Sequence, residues 1–139
     1  MKIEINNKAK NKLDLTLIKR TVTEFARVYK IKHKEISIAF VGDAEIKKLN
    51  KTYRKKDEPT DILSFQGEGE ILGELVIDYN QIKRQAGQFG NSEKAELIFI
   101  LVHGLLHLLG HNDENVKDRQ KMIKLGEEFI KNFRMTNSQ

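Results

Sequence analysis

The sequence has no cysteine, no tryptophan and a single proline, Pro59. Without thiols neither a disulfide framework nor a thiolate-bound metal can form, so any metal must take nitrogen and oxygen ligands. No apolar run reaches the roughly 20 residues that span a bilayer; Leu97 to Leu109 falls short, and the N-terminal MKIEINNKAKNK lacks the apolar stretch of a secretory signal. The expectation is a cytoplasmic protein with no membrane partner. Internal repeats and low-complexity blocks are absent too. What is present suits one small domain over residues 1–139: 39% of the residues are hydrophobic, enough for one core and too few for a second. A formal net charge of +5 and a pI near 9.3 favour an anionic partner such as nucleic acid, although lysines interleaved with glutamates also serve solubility.

The pattern of apolar residues predicts alternating elements. Ile3 and Ile5 alternate with polar neighbours as in a short strand, and Ile18, Val22, Phe25 and Tyr29 form the stripe of a helix from Asp14 to Tyr29, with Asp14 or Thr16 as cap. Ile36 to Val41 reads as a strand ending at Gly42, after which Asp43 caps a short helix bearing Ile46, Leu49 and Tyr53. Arg54 to Asp61 is a charged loop. Ile62 to Phe65 and Ile71 to Asp78 read as antiparallel neighbours, with Gly73 marking a bulge or a close backbone approach. A short helical piece from Asn80 to Ala86 precedes the most apolar helix, and Met122, Leu125, Phe129, Ile130 and Phe133 stripe a last one before a frayed tail from Met135 to Gln139. The fold class expected is α+β, with helices packed on a small mixed sheet of about four strands.

The segment LIFILVHGLLHLLGHND, Leu97 to Asp113, carries the chemistry. His103 and His107 are four residues apart on a helix that is apolar around nearly its whole circumference, so it should be central and buried, with both imidazoles on one face about 6 Å apart along the axis. Burial favours neutral imidazole, the form that binds metal. His111 would lie about 12 Å along the axis from His103 if the helix continued, too far to share an ion. Gly110 can end the helix in a left-handed conformation, and either His111 or Asp113 can then fold back. The resulting HxxxHxxGxxD is zincin-like, with Asp113 preferred as third ligand and His111 as its alternative or as a fourth. The glutamate that serves as base in HExxH peptidases is replaced by Gly104, which keeps a metal site and removes the peptidase mechanism.

HGLLHLLGHND at 103 to 113, LNKTYRKKDEPTDILSF at 49 to 65 and ILGELVID at 71 to 78 together resemble the bacterial YbeY family of single-strand-specific endoribonucleases, over essentially the whole chain. The resemblance implies a metal-dependent nuclease acting on ribosomal RNA precursors at the small ribosomal subunit, with a divalent ion, zinc first, held by His103, His107 and the residue at the third family ligand's position, here Asp113. It departs from the family pattern there, because that ligand is usually histidine. The resemblance also implies a catalytic role for Arg54, whose planar guanidinium can pair bidentately with phosphate oxygens. Thr60, Asp61 and Ser64 receive no catalytic role. Two other readings share the histidines: a metallopeptidase-like hydrolase, which Gly104 argues against, and a non-enzymatic ribosome assembly factor with a structural zinc, which His111 would favour by closing the site.

Overall fold

The computed structural model describes residues 1–137. Strand β1, Lys2–Asn7, precedes helix α1, Leu15–Val28, whose N-cap is Asp14; its carboxylate accepts from the Leu17 backbone N–H. Strand β2, Glu35–Val41, leads into helix α2, Asp43–Arg54. Strands β3, Ile62–Gln66, and β4, Ile71–Asp78, form the expected hairpin, and helices α3, Tyr79–Phe89, α4, Glu93–Leu108, and α5, Val116–Asn137, complete the chain. The four strands make one mixed sheet in the order β1-β2-β4-β3, parallel between β1, β2 and β4 and antiparallel between β4 and β3. An α+β fold is thus observed.

Side chains of the sheet alternate between two apolar layers. Ile38, Phe40, Ile62, Leu75 and Ile77 face the larger one, shared with α1, α3, α4 and α5; Val41, Leu63 and Val76 face a smaller one closed by Ile46 of α2. Gly73 is both things its position suggested. Ile36 pairs with Gly73 and Glu35 with Ile71, which leaves Leu72 as the extra residue of a bulge. At φ +152°, a Cβ on Gly73 would lie 2.3 Å from the Phe65 carbonyl oxygen.

Several local expectations change. Asp43 does not cap α2: Gly42 is the N-cap, without a side-chain bond, and Asp43 sits in the first turn with its carboxylate paired to Arg84 at 2.8 and 3.2 Å. Arg84 is 41 residues away, a contact that no local pattern announces. Helix α3 starts earlier and ends later than Asn80 to Ala86, because the Asp78 carboxylate accepts from the Asn80 N–H and caps it. Helix α4 begins at Glu93 behind a Ser92 cap. Arg54, read as the start of a loop, is the last residue of α2. Of the tail expected to fray, the backbone of residues 135–137 continues α5, and residues 138 and 139 lie outside the described residues.

Helix α4 packs against β3 and β4 as well as α1, α3 and α5, so it is central as its composition requires. Its approach to the sheet is closest at Gly104, where a Cβ would lie 2.5 Å from Ile62 Cδ1 and 3.0 Å from Leu75 Cδ2. One residue departs from the buried-all-round expectation: Phe99 is 44% exposed, on the wall of the cavity described next.

Candidate metal centre

With Gly104 turned to the sheet, His103 and His107 share an open cavity of about 800 Å³ with Arg54, Asp61, His111 and Asp113. The helix ends as its glycine predicts. Gly110, at φ +100°, donates to the His107 carbonyl and the His111 N–H donates to that of Leu106, the paired bonds of a Schellman turn. That turn does two things. It brings Asp113 Oδ2 to 3.9 Å from His103 Nε2. It also puts the His111 carbonyl oxygen 3.0 Å from His107 Nδ1. A carbonyl only accepts, so Nδ1 carries the proton, and the lone pair of a neutral His107 lies on Nε2.

His107 Nε2 stands 3.1 Å from His103 Nε2. Two nitrogens bound at ~2.05 Å in a tetrahedron stand ~3.3 Å apart, so the pair is spaced as two ligands of one ion. Ligand atoms of His103, His107 and Asp113 all lie within 4.8 Å of one another, and this group could hold a metal ion. Desolvation by burial, reinforced by neighbouring His107, pushes the His103 pKa down against the opposing pull of Asp113 and Asp61. His103 is therefore a neutral donor at physiological pH. Two imidazoles and a carboxylate form the nitrogen and oxygen set that a cysteine-free chain can offer a divalent cation. His111, the alternative ligand, is absent from this group and contributes its backbone carbonyl as an orienting partner, the role that carboxylates and carbonyls play behind metal-bound histidines.

Arg54, at the end of α2, also lines the cavity. Lys55, in the left-handed conformation at φ 59°, terminates α2 right behind it, and buried Asn50 fixes the following loop by donating to the Glu58 carbonyl at 2.8 Å. Arg54 is exposed and forms no salt bridge among the described residues, which leaves its guanidinium available to an anion. The sequence-expected residues His103, His107, Asp113 and Arg54 are thus brought together.

Other cavity residues carried no such expectation. Asp61 lies beside them, its Oδ2 accepting from Gln85 Nε2 at 3.2 Å; the same Gln85 nitrogen donates to Glu96, which is buried and also accepts from Asn91. Glu96, in the first turn of α4, thereby belongs to a polar chain linking α3, α4 and the loop before β3. Gln66, at the end of β3, donates towards the last carbonyls of α4, those of His107 and Leu108, at 3.4 Å each. The only sequence signal for this wall was that Asp61 precedes, and Gln66 follows, the apolar run Ile62 to Phe65 of the hairpin; nothing local pointed at α4.

Comparison with known proteins identifies the family. The family described as Endoribonuclease YbeY matches residues 2–134. Endoribonuclease YbeY of Halalkalibacterium halodurans is 36% identical over 140 aligned positions, covering 88% of each chain. That of Geobacillus thermodenitrificans is 40% identical over 116 positions, covering 73% of this chain and 74% of its own. The solution structure of a protein from Thermotoga maritima superposes with a TM-score of 0.63 at 26% identity, covering 98% of this chain and 94% of that one. By a match over nearly its whole length and by identities of this size, the chain belongs to the endoribonuclease YbeY family.

Proposed function

We propose that this endoribonuclease cuts single-stranded RNA at a divalent ion, zinc first, held by His103, His107 and Asp113, with Arg54 on the scissile phosphate. Its substrates in this reading are ribosomal RNA precursors, met in the cytoplasm at the small ribosomal subunit, and the whole unit 1–139 serves that one chemistry. The observation that carries the reading is the convergence of two imidazoles and a carboxylate in one cavity that an unpaired guanidinium also lines. A net charge of +5 suits a polyanionic substrate. No helix among the described residues is long and apolar enough to cross a membrane.

A bound ion of this kind supplies Lewis-acid polarisation of a phosphoryl oxygen and a lowered pKa for water. The chain's own residues do the rest. His107 keeps its Nδ1 proton on the His111 carbonyl, which holds the ring in one orientation and its Nε2 lone pair towards His103. His103 stays neutral through burial. Arg54 presents two N–H groups to non-bridging phosphate oxygens and stabilises charge that gathers there, because its guanidinium stays protonated at any working pH.

Elemental analysis alongside cleavage assays tests the reading. Wild type should carry about one divalent ion per chain and cut single-stranded RNA; His103→Ala and Asp113→Ala should lose both. Arg54→Glu should keep fold and metal and lose cutting. Unchanged cleavage by Arg54→Glu removes Arg54 from the mechanism, and unchanged metal content in His103→Ala removes the site.

A further inference from the structure

Three of the chain's ten aromatic side chains, Tyr53, Phe65 and Phe99, stand on the wall of the metal cavity. Two of them are exposed, Tyr53 at 63% and Phe99 at 44%. Both belong to helices whose other large apolar side chains are packed away: Ile46 of α2 is fully buried and Leu49 partly so, and Leu101 and Leu105 of α4 are fully buried. Nor are the two rings loose. Tyr53 meets Phe65 edge to face at 5.0 Å between centroids and an interplanar angle of 73°, which steadies its plane while most of the side chain stays exposed. Phe99 lies one helical turn before His103, nearly parallel to that imidazole at 6.3 Å and an interplanar angle of 23°. Tyr53 is chain neighbour to Arg54. Two exposed aromatic rings thus line the same cavity as the Arg54 guanidinium and the His103 imidazole.

We infer that Tyr53 and Phe99 are base-stacking residues that take the unpaired nucleotides flanking the scissile phosphate, and that they give the site its preference for single strands. The inference rests on the reading of this cavity as an RNA site and goes beyond it by naming what recognises the bases. Arg54 and a bound cation contact phosphate, which single and double strands both carry, so neither can tell them apart. A base within a duplex already has both faces covered by its neighbours, whereas an unpaired base can lay its π-face on an aromatic ring. Stacking also tolerates any base, because each has a π-face.

The test titrates metal-loaded protein into 5′-labelled RNAs with 2′-O-methyl phosphorothioate linkages, which resist cutting, and follows fluorescence anisotropy. The same strand is offered single, annealed to its complement, and with its central bases removed to leave abasic riboses. Wild type should bind the intact single strand about tenfold or more tightly than the abasic one. Tyr53→Leu and Phe99→Leu, which keep an apolar side chain, should each erase most of that difference, and Tyr53→Phe should retain it. The inference falls if wild type binds abasic and intact strands alike, or if the leucine variants discriminate as wild type does. A wild type that still cuts unmodified single-stranded RNA while ignoring base removal overturns stacking alone. One that neither binds nor cuts any RNA overturns the functional reading as well.

Discussion

Restoring a glutamate at position 104 would, by sequence alone, rebuild an HExxH peptidase motif; in the folded protein it should wreck the helix-to-sheet contact instead. A Cβ at Gly104 would stand 2.5 Å from Ile62 Cδ1 and 3.0 Å from Leu75 Cδ2, and those side chains are 7% and 0% exposed. Gly104→Ala sets a helix-propensity gain of about 1 kcal/mol against an overpacking cost of about 1–3 kcal/mol, for a net loss of about 0–2 kcal/mol. Gly104→Glu carries the same clash and adds a carboxylate facing two aliphatic side chains with no partner of opposite charge, which costs several kcal/mol more or forces its protonation. The sum approaches the roughly 5–15 kcal/mol that holds a domain together. Urea unfolding followed by circular dichroism, with chelator present so that metal linkage does not enter, should find the alanine variant folded with a slightly lower midpoint. The glutamate variant should be largely unfolded. A glutamate variant with a wild-type midpoint would refute the packing argument, and one that also digested casein would return the chain to the peptidases.

Four other outcomes follow from the same contacts. Arg54→Ala should lower the rate of RNA cleavage about 10²–10³-fold, the size typical of one lost preorganised charge partner, with unaltered thermal unfolding because the side chain is exposed. Gly73→Ala should cost about 2–4 kcal/mol by thermal denaturation, since φ +152° and a 2.3 Å approach to the Phe65 carbonyl leave no room for a methyl group. His111→Ala should retain bound metal by elemental analysis, because the backbone carbonyl is the atom that holds His107, whereas Asp113→Ala should lose it. Asp78 is fully buried, and burial with the neighbouring Asp43 carboxylate raises its pKa to about 7. Its protonated form therefore stabilises the fold at low pH, and that contribution disappears as pH rises through 7. Asp78→Asn, which keeps the cap on Asn80, should gain about 1–2 kcal/mol over wild type at pH 8.5, about half of that at pH 5.5 and little below about pH 4, where the unfolded carboxyl is protonated too. The gain at the highest pH is less than the ~4 kcal/mol of a full three-unit shift, because Arg84 Nη2 lies 4.0 Å from the carboxylate. Equal pH slopes for the two proteins would contradict it.

The elements were legible where local chemistry dictates them. Asp14 accepts from an N–H in the first turn of α1, Gly110 turns left-handed, and the apolar stripe of α1 packs as its period requires. What the sequence hid lies in contacts between distant segments. Alternation in β2 and β4 announces strands without saying that they pair in parallel, with β1 outside one and β3 outside the other. Asp43 looks like a cap because Asp often is one; Arg84 takes its carboxylate, and only the fold brings them together. Phe99 looks like core because it sits within the unbroken apolar run Leu97 to Val102, and its exposure becomes intelligible only once the cavity is seen. Gly104 looked like a missing base and is a contact surface.

Why Asp113 and not His111 closes on the histidine pair follows from the same turn. A Schellman end commits the N–H of the residue after its glycine to a carbonyl one turn back, here His111 to Leu106. The His111 backbone is thereby fastened across the end of α4, and its carbonyl lands 3.0 Å from His107 Nδ1. A residue so fastened orients the ring from behind. The side chain that can come round to the ring's other edge belongs to a residue further on, after the chain has reversed, and Asp113 is that residue, with Oδ2 at 3.9 Å from His103 Nε2. In the proposed metal centre the third ligand is therefore chosen by position relative to Gly110 before it is chosen by type. A histidine placed at 113 should bind zinc as well as the native aspartate does, whereas moving the acid to 111 in an Asp113→Ala background should fail to restore metal; restoration there would refute the turn as the selector.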